Sequence, residues 1–175
     1  MVLRSALLSA LLIVAAGANA QGSPPEGDLR VSEADRQFLQ LAVDSSAKEI
    51  QLSERALEQG ESADVKRFAE TMVKDHGATN RDLMSLVEAL FGTKGPPFKK
   101  ASASVKREVE QLSELDGPAF DRRYMQIMIK DHRAAVNLYR QQADRGANPQ
   151  IKALAKKTLP TLERHLNMAR AVAPE

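Results

Sequence analysis

The chain has three histidines, and each has a methionine one helical turn away: Met72 before His76, Met128 before His132 and Met168 after His165. Residues three or four apart share a helix face, so each imidazole would project beside a thioether. That pairing is a soft donor set that favours copper, whereas imidazole with a carboxylate such as Glu49 suits zinc or iron. The candidate metal ligands are therefore His76, His132, His165 and Glu49, with Met72 and Met128 beside them. The competing reading is structural. Each imidazole would hydrogen-bond across a helical bundle, to Asp75, Asp131, Thr79 or Glu49, and the polar layer would fix helix register while the methionines fill core. A di-iron carboxylate centre fits poorly, because it needs Glu three residues ahead of His on two helices. Those positions here hold Val73, Ile129 and Leu162.

The elements that must position these residues are helices. Ser32 followed by Asp35 is a variant capping box, and the apolar residues Phe38, Leu41, Ala42, Ile50 and Leu57 recur at helical spacing, which predicts a helix over 32–59 that Gly60 ends. Ser62 caps a second helix with the stripe Val65, Phe68, Ala69, Met72, His76, Leu83, Val87 and Leu90, and Gly95-Pro96-Pro97 forbids its continuation. A short helix over about 101–115 fills a crossover. Asp116-Gly117-Pro118 then resets the chain before a helix over 118–144, and Asn148-Pro149 starts the last one, in which Pro160 is expected to produce a kink. Gly77 lies inside the second helix and suggests a close helix approach.

Setting Leu52 against Leu138 aligns 52–83 with 138–169 without a gap; Gly60 meets Gly146, Val65 meets Ile151 and Ala69 meets Ala155. Two similar helical hairpins joined by a long crossover give an all-α, ferritin-like antiparallel four-helix bundle with a short extra helix in the crossover. A plain up-down bundle is the alternative. His132 lies fourteen residues before Gly146 and His165 nineteen after it, while Glu49 lies eleven before Gly60 and His76 sixteen after it. At about 1.5 Å per residue, four potential ligands, one per main helix, come to similar depth near mid-bundle.

Residues 1–20 have the layout of a cleavable secretory signal: Arg4, an apolar run from Leu7 to Ala16 too short to span a bilayer, then Ala18-Asn19-Ala20. Residues 21–30, rich in Gly, Ser and Pro, read as a flexible leader, and 31–172 as the bundle domain. Without Arg4, 24 basic residues face 23 acidic ones, a balance that argues against nucleic-acid binding. The chain has no cysteine and no tryptophan, so stability rests on packing, with an aliphatic core expected. The basic residues scattered over 94–107 read as a solvated face. No phosphate loop, cysteine nucleophile or nucleophile elbow is present; an enzymatic reading would have to run through a metal, as a redox activity.

Met72-Val-Lys-Asp-His76, Met128-Ile-Lys-Asp-His132 with Phe120-Asp121 and Tyr124 ahead of it, and Thr158-Leu-Pro-Thr-Leu-Glu-Arg-His165 resemble the bacterial proteins grouped as domain of unknown function 4142, over about 31–172. The resemblance implies an exported, ferritin-like bundle with His76, His132 and His165 as hallmark positions and Glu49 less securely so. Such proteins are often labelled outer-membrane proteins, but neither barrel strands nor a lipid anchor is legible here, so the periplasm is the expected location. Two functions follow as expectations: a periplasmic protein that binds copper, zinc or iron through inward histidines, or a non-catalytic envelope or stress-related protein with a partner in the envelope and a structural histidine layer.

Overall fold

The computed structural model describes residues 31–92 and 103–173, and these form five helices: α1 (Glu33–Gln59), α2 (Ala63–Phe91), α3 (Ala103–Ser113), α4 (Gly117–Arg145) and α5 (Pro149–Val172). The expected signal and leader, the Gly95-Pro96-Pro97 break and part of the basic stretch lie outside the described residues. The expected boundaries of the four main helices hold to within a residue or so. The short helix is described over Ala103–Ser113 and ends ahead of the expected 115, because Leu115 N–H turns back to the Leu112 carbonyl.

Capping residues start the helices as their chemistry dictates. Ser32 and Asp35 form a reciprocal capping box, Ser62 accepts from Asp64 N–H, and Asn148 Oδ1 accepts from Gln150 and Ile151 N–H ahead of the Pro149 first turn. Asp116 caps α4 without a side-chain bond, and the sharp entry is made by Gly117 at φ 55°, a left-handed conformation that suits glycine. Helix α5 runs on through Pro160.

α1 packs most extensively on α2, and α4 on α5; the two hairpins then join along α1–α4 and α2–α5, with α3 laid over α1 and α4. Two aspartates fix how they join. Asp35, at the start of α1, accepts from Asn148 N–H (3.2 Å) and Gln142 Nε2 (2.6 Å) at the α4–α5 turn. Asp121, near the start of α4, accepts from Glu61 N–H (3.1 Å) and Ser62 N–H (2.8 Å) at the α1–α2 turn. Helix α1 is therefore antiparallel to α4, α2 and α4 run the same way, and the connection between them travels the length of the bundle. That is a long crossover between hairpins, not an up-down sequence.

The core divides into two clusters. One holds Phe38, Leu39, Ala42, Leu83, Val87, Val136, Tyr139, Ile151 and Leu162; the other holds Leu52, Ala56, Phe68, Met72, Phe120, Tyr124, Met125 and Met128. Each main helix passes from one cluster to the other near a polar residue: α1 at Glu49, α2 at His76, α4 at His132 and α5 at His165. The core is less aliphatic than the composition suggests. The chain has few aromatic residues, but Phe38, Phe68, Phe120, Tyr124 and Tyr139 are all buried.

Candidate metal centre

The three histidines between the core clusters meet, and Glu49 lies against two of them, His76 and His132. His76, His132 and His165 each present a ligand atom within 4.8 Å of the others, and their ring centroids are 5.3 to 5.5 Å apart. All three are at most 3% exposed, and Glu49 is fully buried. The helices carry them inward because each replaces an apolar residue on a stripe that must face the core, so the amphipathic pattern aims the site.

Hydrogen bonds fix two of the rings. His132 Nδ1–H donates to the Met128 carbonyl at 2.9 Å, which leaves Nε2 as the lone-pair nitrogen, 3.4 Å from His76 Nε2. Two nitrogens bound to one tetrahedral ion at 2.0–2.1 Å would stand about 3.3 Å apart. His165 Nε2 lies 3.0 Å from Asp75 Oδ2 and donates to it, leaving Nδ1 buried without a partner. Metal-bound histidines characteristically give their other N–H to a carbonyl or carboxylate in this manner. Glu49 Oε2 is 2.9 Å from His76 Nε2 and Oε1 is 3.9 Å from His132 Nδ1, but the ring N–H groups do not point along these contacts. Both carboxylate oxygens and His76 Nδ1 therefore lack an aligned hydrogen-bond partner. Buried groups left so are costly, and a cation among them would satisfy several at once.

The protonation states of Glu49 and His165 suit ligation, whereas a metal at His76 would have to displace a proton. Burial alone would raise the Glu49 carboxyl, but the charge of His76 and His132, a contact to His76 and the more distant His165 outweigh it and hold the group at about 2. Burial pushes His165 down to about 4, and the neighbouring His76 and His132 charges add to this against the opposing pull of Asp75. Burial would lower His76 too, but Glu49, and to a lesser degree Asp75, lift it above its ordinary value. At neutral pH the centre thus offers a carboxylate and a neutral His165, which are the ligating forms.

Met72 and Met128 are fully buried in the cluster that also holds Met125, with Met168 packed against it. The cluster on the other side of the histidines contains no methionine. Their placement is core packing beside the imidazoles, and Met128 acts on the centre through its carbonyl. Asp131 does not meet an imidazole. It accepts from Lys48 at 2.6 Å, and Lys48 also pairs with Glu108 of α3. This tie, which pins the crossover helix to α1 and α4, was invisible in sequence because nothing in helical periodicity predicts a partner 83 residues away. A buried chain of hydroxyls also went unforeseen: Tyr124 donates to Ser53 Oγ (2.8 Å), which donates to the Glu49 carbonyl (2.6 Å). Gly77 faces open space apart from the Arg81 guanidinium, 3.8 Å from where a Cβ would stand, so close helix approach does not explain it.

An all-α bundle with three buried histidines and a carboxylate at its centre is the class that fold and site define. The chain belongs to the family called domain of unknown function 4142, whose model matches residues 20–172. No curated protein matches it in sequence. In fold it is similar to a DUF305 fragment from Deinococcus radiodurans, at TM-score 0.71 and 21% identity, covering 82% of this chain and 97% of that one. It is similar also to a DUF305 protein from Streptomyces coelicolor described as secreted (TM-score 0.67, 16% identity, 79% and 89% covered) and to CopM in a Cu(II)-bound form (TM-score 0.66, 16% identity, 78% and 93% covered). These likenesses establish a shared helical-bundle fold.

Proposed function

We propose that this protein is an exported metal-binding bundle that holds one transition-metal ion between His76, His132 and His165, with Glu49 as the fourth ligand and Met72 and Met128 as a soft wall beside them. The observation that carries the reading is the meeting of three imidazoles from three helices within 4.8 Å around a buried carboxylate whose oxygens have no aligned donor. Copper is the preferred ion. Imidazole-rich sites bind Cu(II) most tightly in the divalent series, and the similar fold of CopM has Cu(II)-bound and Cu(I)-bound forms. Three nitrogens and a carboxylate supply four protein ligands, which suits holding an ion rather than turning over a substrate. Export rests on the signal-like residues 1–20 and on the secreted label of the Streptomyces coelicolor neighbour; among the described residues no helix is long and apolar enough to cross a membrane.

The second reading is an envelope protein in which the histidines are a structural layer, favoured by the His165–Asp75 hydrogen bond, which satisfies one ring within the protein. Elemental analysis with competitive titration of copper, zinc and iron separates the two. The metal reading predicts one ion per chain, lost when His76, His132 and His165 are all replaced by Gln, and a melting temperature that chelator lowers. Wild-type protein that retains no stoichiometric metal and melts identically with and without chelator overturns it.

A further inference from the structure

The centre is sealed, so an ion must pass a cover. Of the side chains hydrogen-bonded to the three rings, only Asp75 reaches solvent among the described residues, with its side chain 24% exposed. Its Oδ2 is shared: it takes His165 Nε2–H at 3.0 Å from inside and the Arg164 guanidinium at 3.1 Å from outside. Arg164 is 55% exposed, and an ion pair that open to water contributes little. Such a cover lifts at almost no cost. On the opposite side, α1, α3 and α4 are tied together by the Lys48 ammonium, 10% exposed and held between Glu108 and Asp131, so that face is closed by an ion-pair network. The carboxylate on the α2–α5 seam therefore faces bulk solvent on one side and a ligand ring on the other.

Resting on the metal-binding reading above, we infer that Asp75 is the capture site through which a transition-metal cation enters and leaves the centre, and that Arg164 is the removable cation that gates it. When Arg164 swings into solvent, Asp75 Oδ2 is free to take the ion, and His165, released from its hydrogen bond to Asp75, delivers a ring nitrogen to it. The ion then passes to the inner imidazoles and Glu49, and Arg164 closes behind it. Arg164 touches none of the ligands directly, so its main effect falls on the rates of transfer.

The test is stopped-flow loading of the metal-free full chain with Cu(II), followed by its release to EDTA, with equilibrium affinity and stoichiometry measured on the same preparations. Arg164→Gln is expected to raise loading and release together, by about two- to fivefold, with Kd unchanged within about twofold. Asp75→Asn, whose amide oxygen can still accept from His165, is expected to slow loading by about tenfold. Arg140→Gln is the control, since Arg140 is exposed to a similar degree as Arg164 and pairs with Glu163 on the α4–α5 side, and it should leave both rates as they are. One ion bound by every variant, with Arg164→Gln loading and releasing no faster than Arg140→Gln, overturns the gate and leaves the metal-binding reading standing. Wild type that binds no stoichiometric Cu(II) overturns both.

Discussion

The two hairpins are built to one plan and do different work. The alignment that sets Leu52 against Leu138 also sets Asp35 against Asp121, and these two aspartates perform the same task, each accepting from the turn of the other hairpin. It sets Ser62 against Asn148, and both cap the second helix of their hairpin. At the centre the likeness ends. Glu49, His76, His132 and His165 correspond to Ala135, Leu162, Ser46 and Thr79. Of these, Ala135 and Leu162 are packed core, and Ser46 donates to the His76 carbonyl. Duplication therefore accounts for the frame, while the polar centre is assembled from one set of positions in the first hairpin and another in the second. A doubled frame holds a single site.

That contrast can be tested from either side. Leu162, the counterpart of His76, should behave as pure packing: Leu162→Ala is expected to cost about 3 kcal/mol in urea denaturation through the cavity it leaves, while one metal ion still binds per chain. Loss of the ion would make the second hairpin's apolar counterpart part of the site.

His76 of the first hairpin and His165 of the second should respond oppositely to acid in the metal-free protein. His165 has a folded value near 4 against an ordinary 6.5, so the unfolded chain takes up a proton that the buried ring refuses. Stability should fall by about 3 kcal/mol as pH drops from 6.5 to 4, and His165→Gln should flatten that slope. His76 is raised, so its contribution is present below 6.5 and lost as pH rises through its folded value. His76→Gln should therefore weaken the protein chiefly on the acid side. Denaturation curves at a series of pH values in chelator would show both, and parallel pH profiles for the two variants would contradict the asymmetry.

The clamps should respond alike. Asp121→Ala and Asp35→Ala each strand buried or half-buried donors, and each is expected to cost about 2 kcal/mol, seen as a fall of several degrees in melting temperature. Hydrogen bonds to Ser32, Gln142 and Asn148 outweigh burial and hold Asp35 below its ordinary value, so its contribution should be present above about pH 4 and lost in more acid solution. A clearly unequal pair of losses would mean that the likeness of the clamps is only geometric. The smallest effect is at Gly77, whose counterpart is Glu163: Gly77→Ala meets no backbone and should stabilise by about 0.5–1 kcal/mol.

Most of the fold was legible because it is written in local terms. Helical spacing, the Ser32, Ser62 and Asn148 caps, and the glycines and prolines at the breaks each act over a few residues. The gathering of Glu49 and the histidines was also legible, since depth along a helix follows from counting back to Gly60 and Gly146. What sequence could not supply was rotation and distant pairing. Which nitrogen of His132 faces inward depends on the Met128 carbonyl, and the partner of Asp131 turned out to be Lys48 because α4 is turned toward α1 and α3. Gly77 misled for the same reason: a glycine signals missing bulk without saying which way the gap faces.

The crossed aspartates bear finally on how the chain reaches its structure. An isolated α1–α2 hairpin would leave Glu61 and Ser62 amides without Asp121, and an isolated α4–α5 hairpin would leave Asn148 without Asp35. Neither half is complete alone, so partial unfolding of one exposes the turn of the other. The bundle should unfold as one cooperative unit, with the Glu61, Ser62 and Asn148 amides more protected from exchange than turn amides that lack such a partner.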